Sequence, residues 1–293
     1  MRKYVKQSAL CWLMVLSIES ALGQEGQSLW GGQVQTLQRS QALGQKALTQ
    51  ARATQSKMSL REQVQAKGFA WGSPMFIRIF KKENVLEIWM QDDDGRYRLF
   101  RDYPICVYSG DLGPKIRIGD KQSPEGVYHL DRKALRPQSQ YHRALHLNFP
   151  NTFDKAHGRT GKYLMIHGDC VSTGCYAMGD QQIEEIYDLT ESALKHGQDK
   201  VHVHAFPFRL TREQLNAYKF HPQHDFWLML APIYQAFESM RVPPEVKVSE
   251  KSYLLMMPNR DVAWHAGAQH SQSALSPAAI NHQPSGTLKL VKP

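Results

Sequence analysis

An imidazole and a thiol eight positions apart carry the most chemistry in this chain, within Tyr163-Leu-Met-Ile-His167-Gly168-Asp169-Cys170-Val171-Ser172-Thr173-Gly174-Cys175-Tyr176-Ala177-Met178. Tyr163 to Ile166 reads as a short apolar strand running into His167-Gly168, after which a loop must follow. If the chain doubles back through that loop, Cys175 returns to hydrogen-bonding reach of the ring, where a His can activate a thiol as nucleophile. Gly174 has no Cβ, so the backbone beside the sulfur can take an unusual conformation and bring its N–H groups to a carbonyl oxygen. A helix starting near Asp180 would add its positive end in favour of thiolate. The plainer reading of a lone Cys and His in one loop is packing. A zinc site of His167, Cys170 and Cys175 fits no common four-ligand spacing, and His202-x-His204 has no third ligand at a recognised spacing, so no metal is expected.

The surrounding residues predict the frame that must hold this loop. Met75 to Phe80 and Val85 to Met90 are apolar or alternating runs around Lys81-Lys82-Glu83-Asn84, and Asp92-Asp93-Asp94-Gly95 turns the chain into Arg96 to Phe100: a β-meander. Ile105 to Tyr108 and Val127 to Leu130 read as further strands, separated by a region that Gly110, Gly113, Pro114, Gly119, Pro124 and Gly126 break too often for helix. After Cys175, Asp180 is placed to cap a helix in which Ile183, Ile186, Tyr187, Thr190, Ala193 and Leu194 recur at helical spacing, and Gly197 ends it. Val201 to Phe206 alternates apolar residues with His202 and His204, as a strand covered on one face does. Residues 211–240 predict helix with Phe226, Leu230, Ile233, Tyr234 and Phe237 along one face and a kink at Pro232.

With 42% hydrophobic and 22% charged residues and a mean hydropathy of -0.49, the 293-residue chain is neither a polytopic membrane protein nor wholly disordered by composition. Its formal charge of +9 suits an anionic surface or substrate without naming one. Arg2, Lys3 and Lys6, the apolar run Ala9 to Ile18 and the small residues at Ala21-Leu22-Gly23 have the order of an export signal over 1–23. The apolar run is shorter than the ~20 residues of a spanning helix, so cleavage is expected and no membrane anchor after it. Cleavage removes three basic residues and Glu19, which lowers the formal charge from +9 to +7, and leaves Cys106, Cys170 and Cys175. In an oxidising compartment an odd cysteine count leaves at least one thiol unpaired or paired between chains. Residues 24–58 read as a Gln/Ala/Ser-rich linker or loose helix, Ser59 with Glu62 as a capping-box start of the ordered domain, and 259–293 as a disordered tail. There is no recognised nucleic-acid motif, and export argues against that partner.

The His167 to Cys175 stretch resembles the catalytic motif of L,D-transpeptidases (YkuD-like), in which a strand ending in His-Gly is followed by a loop and a Ser/Thr-His-Gly-Cys turn. Ser172, Gly174 and Cys175 match that turn. Lys115-Ile-Arg-Ile-Gly119-Asp120, Ser123-Pro124-Glu125-Gly126-Val-Tyr128 and Asn148-Phe-Pro150-Asn151-Thr-Phe-Asp154 resemble the family framework, so the similarity covers about residues 68 to 209. Thr173 stands where the usual motif has a second His, Tyr176-Ala177-Met178 replaces the apolar-Arg pair after the cysteine, and the His-to-Cys interval is short. These departures resemble the YafK branch, whose activity includes a diaminopimelate-protein amidase. The resemblance implies Cys175 as nucleophile, His167 as its base, Gly168 as a backbone orienter, and Ser172 and Gly174 in orientation or oxyanion binding, with the Gly174 and Cys175 amides as donors. The missing Arg removes a carboxylate contact, so substrate recognition must differ.

On this resemblance the expected fold is α+β: a β-rich L,D-transpeptidase catalytic domain over 59–209 with a helical C-terminal extension over 210–258. The implied activity is that of a periplasmic cysteine enzyme acting on amide bonds at diaminopimelate of peptidoglycan stem peptides through a thioester. Hydrolysis releasing an attached protein such as a lipoprotein is preferred. Transpeptidation forming cross-links or protein attachments, and a non-catalytic peptidoglycan-binding envelope protein, are the alternatives. Lys155, Arg159 and Lys162 are candidates for the stem-peptide carboxylates, although such charges are ordinarily solvated surface. Since Cys175 must remain free to attack, Cys170 is expected to be structural or bonded to Cys106 rather than a second reactive thiol. Phe226, Trp227, Tyr234 and Phe237 are expected to pack the extension rather than to form a lid. No cofactor is required by this chemistry.

Overall fold

The computed structural model of the chain describes Ser40, Leu43 and residues 58–256. The expected export signal, nearly all of the linker and the tail from 259 lie outside the described residues. The chain divides after Ser59; Ser40 and Leu43, before the division, are helical.

From Leu60, helix α1 (Leu60–Ala66) leads to β1 (Met75–Phe80), β2 (Val85–Gln91), β3 (Tyr97–Pro104), β4 (Val107–Tyr108) and β5 (Gly126–Leu130). A 3-10 turn at Arg132–Ala134 precedes the hairpin of β6 (Leu135–Ser139) and β7 (His142–His146). Then come α2 (Thr152–Ala156), β8 (Met165–His167), β9 (Tyr176–Ala177), α3 (Asp180–Lys195) and β10 (Val201–Phe206). The extension holds α4 (Arg212–Ala217), α5 (His224–Met240) and a hairpin of β11 (Glu245–Ser249) and β12 (Ser252–Met256).

Two five-stranded sheets, ordered β3-β2-β1-β10-β5 and β4-β9-β8-β7-β6, make the fold α+β and β-rich. β1 is enclosed by β2 and β10, so all six residues of Met-Phe-Ile-Arg-Ile-Phe are buried, and its apolar run is near-continuous as in a central strand. The one charge in that run, Arg78, is neutralised by Glu238 at 2.8 Å. The main core joins Ile77, Ile79, Leu86, Ile88 and Val203 of the first sheet to Ile166 and Tyr176 of the second, with Ile183 and Ile186 of α3. Each such side chain contributes roughly 1.5–3 kcal/mol on burial. The α3 face read from its spacing is buried at all six positions, and Gly197, at φ 107, follows its end. Its start differs from expectation. Gly179 occupies the N-cap without a side-chain bond, while Asp180 is the first helical residue and its carboxylate accepts from the Asp169 N–H at 2.7 Å.

α5 lays Phe226, Trp227, Leu230, Ile233 and Tyr234 against Phe80, Phe206 and Phe208, a second apolar cluster that fixes the extension to the sheet. Phe237 packs instead with Phe76 and Trp89. Two strand pairs depart from the sequence reading. The extension ends in the β11–β12 hairpin rather than in helix, with Tyr253 stacked on Phe153 at 4.2 Å. β6 and β7 went unread because Leu135–Ser139 contains Pro137 and is largely exposed at the sheet edge, so it carries no apolar period.

Candidate active site

β8 and β9 run parallel, with Ile166 paired to Tyr176 and His167 to Ala177. Ile166 and Tyr176 point into the main core. Alternation along each strand therefore puts His167 on the other face, and Cys175, two residues before Ala177, on that same face at the mouth of the loop. The chain doubles back as the spacing suggested and sets Cys175, one residue before β9, on the face of His167, while Ala177 is the residue paired with the His and the sulfur is directed to the Tyr163 carbonyl.

His167 is buried, and its Nδ1 lies 2.6 Å from the carbonyl oxygen of Gly168. A carbonyl can only accept, so Nδ1 carries the hydrogen and the neutral ring keeps Nε2 as its acceptor. The Tyr141 ring stacks on the imidazole at 4.5 Å. Burial pushes the His167 pKa below its ordinary value, against the Gly168 carbonyl and the Asp169 charge, so the ring is neutral at pH 7. Gly168 is required sterically: a Cβ there would stand 2.7 Å from both the Tyr141 carbonyl and an Asp180 carboxylate oxygen.

Cys175 is half-buried and, among the described residues, is the only free cysteine. Burial pushes its thiol up, while the Met165 backbone and the Lys115 charge oppose the rise. Its Sγ donates to the Tyr163 carbonyl at 3.6 Å. Cys106 and Cys170 form a disulfide with a Cα–Cα distance of 5.5 Å, which ties the loop before the thiol to the start of β4.

Ser172 organises the loop differently from the expectation for its neighbours. Its Oγ accepts from the Gly174 N–H at 3.2 Å and from the Cys175 N–H at 3.0 Å, and donates to the Cys175 carbonyl at 2.8 Å. The two amides expected as oxyanion donors are therefore occupied by a hydroxyl in this conformation. Gly174 adopts φ 142, which an L side chain rarely takes, and so permits the turn. Ser109 Oγ lies 2.6 Å from Ser172 Oγ, and Ser123 Oγ donates to the Cys175 carbonyl at 2.8 Å. The Tyr176 hydroxyl donates to the Pro124 carbonyl at 2.6 Å.

Of the three candidate substrate-binding cations, Arg159 does not reach a site. It is buried in an ion pair with Asp154 at 3.0 Å, and its guanidinium lies over Phe153 and Phe226, because Asp154 sits in the capping box of α2 and needs a counter-charge. Lys155 and Lys162 are exposed, and Lys162 lies 5.3 Å over the ring of Tyr163, whose carbonyl meets the thiol. His202 and His204 share a strand with ring centroids 6.4 Å apart, and His204 packs edge-on against Phe76 at 4.7 Å. Among the described residues no group of three or more His, Cys, Asp or Glu is placed to hold a metal ion. Tyr141 and Ser109 escaped the sequence reading because nothing local marks them. Ser123 and Lys115 lay within the framework motifs but had no assigned role.

The family model of the L,D-transpeptidase catalytic domain (YkuD) matches residues 74–203. The chain is also 48% identical over 187 residues to the putative L,D-transpeptidase YafK of Escherichia coli K12, covering 64% of this chain and 76% of that relative. This chain belongs to the L,D-transpeptidase family. The same identity and coverage hold for the YafK of Escherichia coli O157:H7. Among solved structures, the helical cell shape determining protein Pgp2 of Campylobacter jejuni, as a K307A mutant, is 19% identical with a TM-score of 0.39, covering 66% of this chain and 77% of its own. Bd1075 of Bdellovibrio bacteriovorus is 17% identical with a TM-score of 0.35, covering 62% and 79%. The L,D-transpeptidase family acts on peptidoglycan. In this family member the match ends inside β10, so α4, α5 and the terminal hairpin lie beyond it. No helix among the described residues is long and apolar enough to cross a membrane.

Proposed function

We propose that this L,D-transpeptidase family member is an exported, periplasmic cysteine amidase that cleaves an amide at diaminopimelate of a peptidoglycan stem peptide and releases an attached protein such as a lipoprotein. The observation that supports the reading is a free thiol one residue before the strand that pairs with β8, on the same face as an imidazole whose Nδ1 is already committed to Gly168. In the reaction, the Cys175 side chain turns from the Tyr163 carbonyl and gives its proton to His167 Nε2. The thiolate adds to the amide carbon, the C–N bond breaks, and the imidazolium protonates the departing amine. Water, deprotonated by the same ring, then attacks the thioester and restores the thiol. Because burial raises the thiol and lowers the imidazole, the resting pair is neutral and the ring acts as a general base on a protonated thiol. Lys155 and Lys162 are left as the exposed cations of the proposed carboxylate contact.

The test is incubation of the purified protein with muropeptides carrying a peptide amine, followed by mass spectrometry. A thioester on the Cys175 peptide and released amine are expected, with release slowed on the order of 10³-fold or more in Cys175→Ala. Release by Cys175→Ala at the wild-type rate would refute the assignment. New amide products with an added acceptor amine would indicate transpeptidation instead, and neither product would leave a binding protein. The pH profile checks the base: the acid limb of kcat/KM should fall below the ordinary imidazole pKa of ~6.5, since activity needs the neutral ring and burial depresses its pKa. A limb above that value would exclude His167 as characterised by this site.

A further inference from the structure

We propose that Trp227, on α5 of the extension, is a positioning residue for Cys175 and acts through the buried carboxylate of Glu125; the part of this that concerns turnover rests on the amidase reading above. Trp227 is fully buried and donates its indole N–H to Glu125 Oε2 at 2.8 Å. Glu125 is itself fully buried, and its other oxygen accepts from the Gly113 N–H at 2.7 Å and pairs with Lys81 Nζ at 3.1 Å. Lys81 Nζ also donates to the Gly113 carbonyl at 2.8 Å. This one carboxylate therefore closes the segment from 113 to 125 on itself, and reciprocal bonds between Ser109 and Ser123 extend the closure to 109. The two ends of that segment hold the nucleophile. Ser109 bonds Ser172, Ser123 bonds the Cys175 carbonyl, and Pro124, next to Glu125, takes the Tyr176 hydroxyl.

A buried carboxylate oxygen is costly without a donor, so losing the indole N–H penalises Glu125 Oε2 in this position. The indole is the partner supplied from outside the family match, which ends at residue 203. Its ring is set by stacking on His221 at 4.4 Å and by edge contact with Phe208 at 5.1 Å. The extension thereby reaches, through Glu125 and the neighbouring Ser123, the main chain of Cys175 and is more than a cover for the sheet.

The experiment compares wild type, Trp227→Phe and Ile233→Ala in the full protein. Ile233 is buried in the same cluster and is not bonded to Glu125, so its variant reports loss of packing alone. Two readouts are taken well below each Tm: the rate of Cys175 alkylation by iodoacetamide, which needs no substrate, and kcat and KM for amine release. Trp227→Phe should change the alkylation rate and lower kcat about tenfold with KM within about twofold, while Ile233→Ala lowers Tm and leaves both rates near wild type. Equal effects of the two variants at matched stability would overturn the proposal. Should Trp227→Phe fail to fold, Glu125→Gln replaces it, and wild-type alkylation by that variant would also overturn it. Absence of amine release by wild type would sink the amidase reading alone, since alkylation still tests the positioning role.

Discussion

The loop carrying Cys175 and the aromatic cluster beneath α5 are held by opposite means. Asp169, Cys170, Val171 and Thr173 are exposed, and the loop owes its shape to a disulfide and to hydrogen bonds converging on Ser172 and the Cys175 carbonyl. The cluster is built from Phe80, Phe206, Phe208, Trp227 and Tyr234, which pack ring on ring with little polar bonding. Directed bonds fix where an atom points at small gain in stability, whereas apolar area stabilises strongly and fixes direction loosely. A loop that must aim a side chain needs the first and the attachment of an extension needs the second. Trp227 is the place where the two meet.

That contrast can be broken by experiment. Phe206→Ala should cost about 3–5 kcal/mol of stability in chemical denaturation while leaving Cys175 alkylation within about twofold of wild type. A large change in alkylation would show that the cluster directs the thiol generally, and the contrast would fail. Replacing both Cys106 and Cys170 by Ser opens a bridge of sequence separation 64 and should cost about 2–4 kcal/mol. Here alkylation should change as well, because the bridge anchors the loop itself. Ser172→Ala should have the smallest effect on stability, about 1 kcal/mol, yet lower amine release about tenfold by freeing the Cys175 main chain. Faster release in that variant would mean that the hydroxyl masks N–H donors the reaction wants, which sharpens the contrast from the other side.

Much of this arrangement was legible where one local pattern determines the outcome. The α3 face, the central strands β1 and β10, and the return of the chain from β8 to a parallel β9 all follow from short-range spacing that the fold then satisfies. The free thiol and the Cys106–Cys170 bridge agree with the expectation that Cys170 is structural or bonded to Cys106 and Cys175 unpaired. What escaped depends on partners distant in sequence. Arg159 looked like a surface cation until Asp154 and two rings enclosed it, and the Gly174 and Cys175 amides looked open until Ser172 turned back on them. The framework motifs show the same thing from the productive side. Asp120 gathers the Ile116, Arg117 and Gln122 amides, and Asn151 caps α2 while bonding the Val127 carbonyl, roles that composition alone does not disclose. The β6–β7 and β11–β12 hairpins were missed because short, half-exposed strands are stabilised by their neighbours rather than by their own period.

The bridge from Cys106 to Cys170 also sets a problem for maturation. The three sulfurs of the described residues can be joined pairwise in three ways, and two of those isomers consume the one at 175. Oxidation can therefore tie up the sulfur at 175 instead of bracing the loop, most readily by joining 170 to its near neighbour in the chain. Correct material would be sorted from dead-end isomers by thiol exchange, with the closing of the long-range bond as the step that sets the sulfur at 175 free.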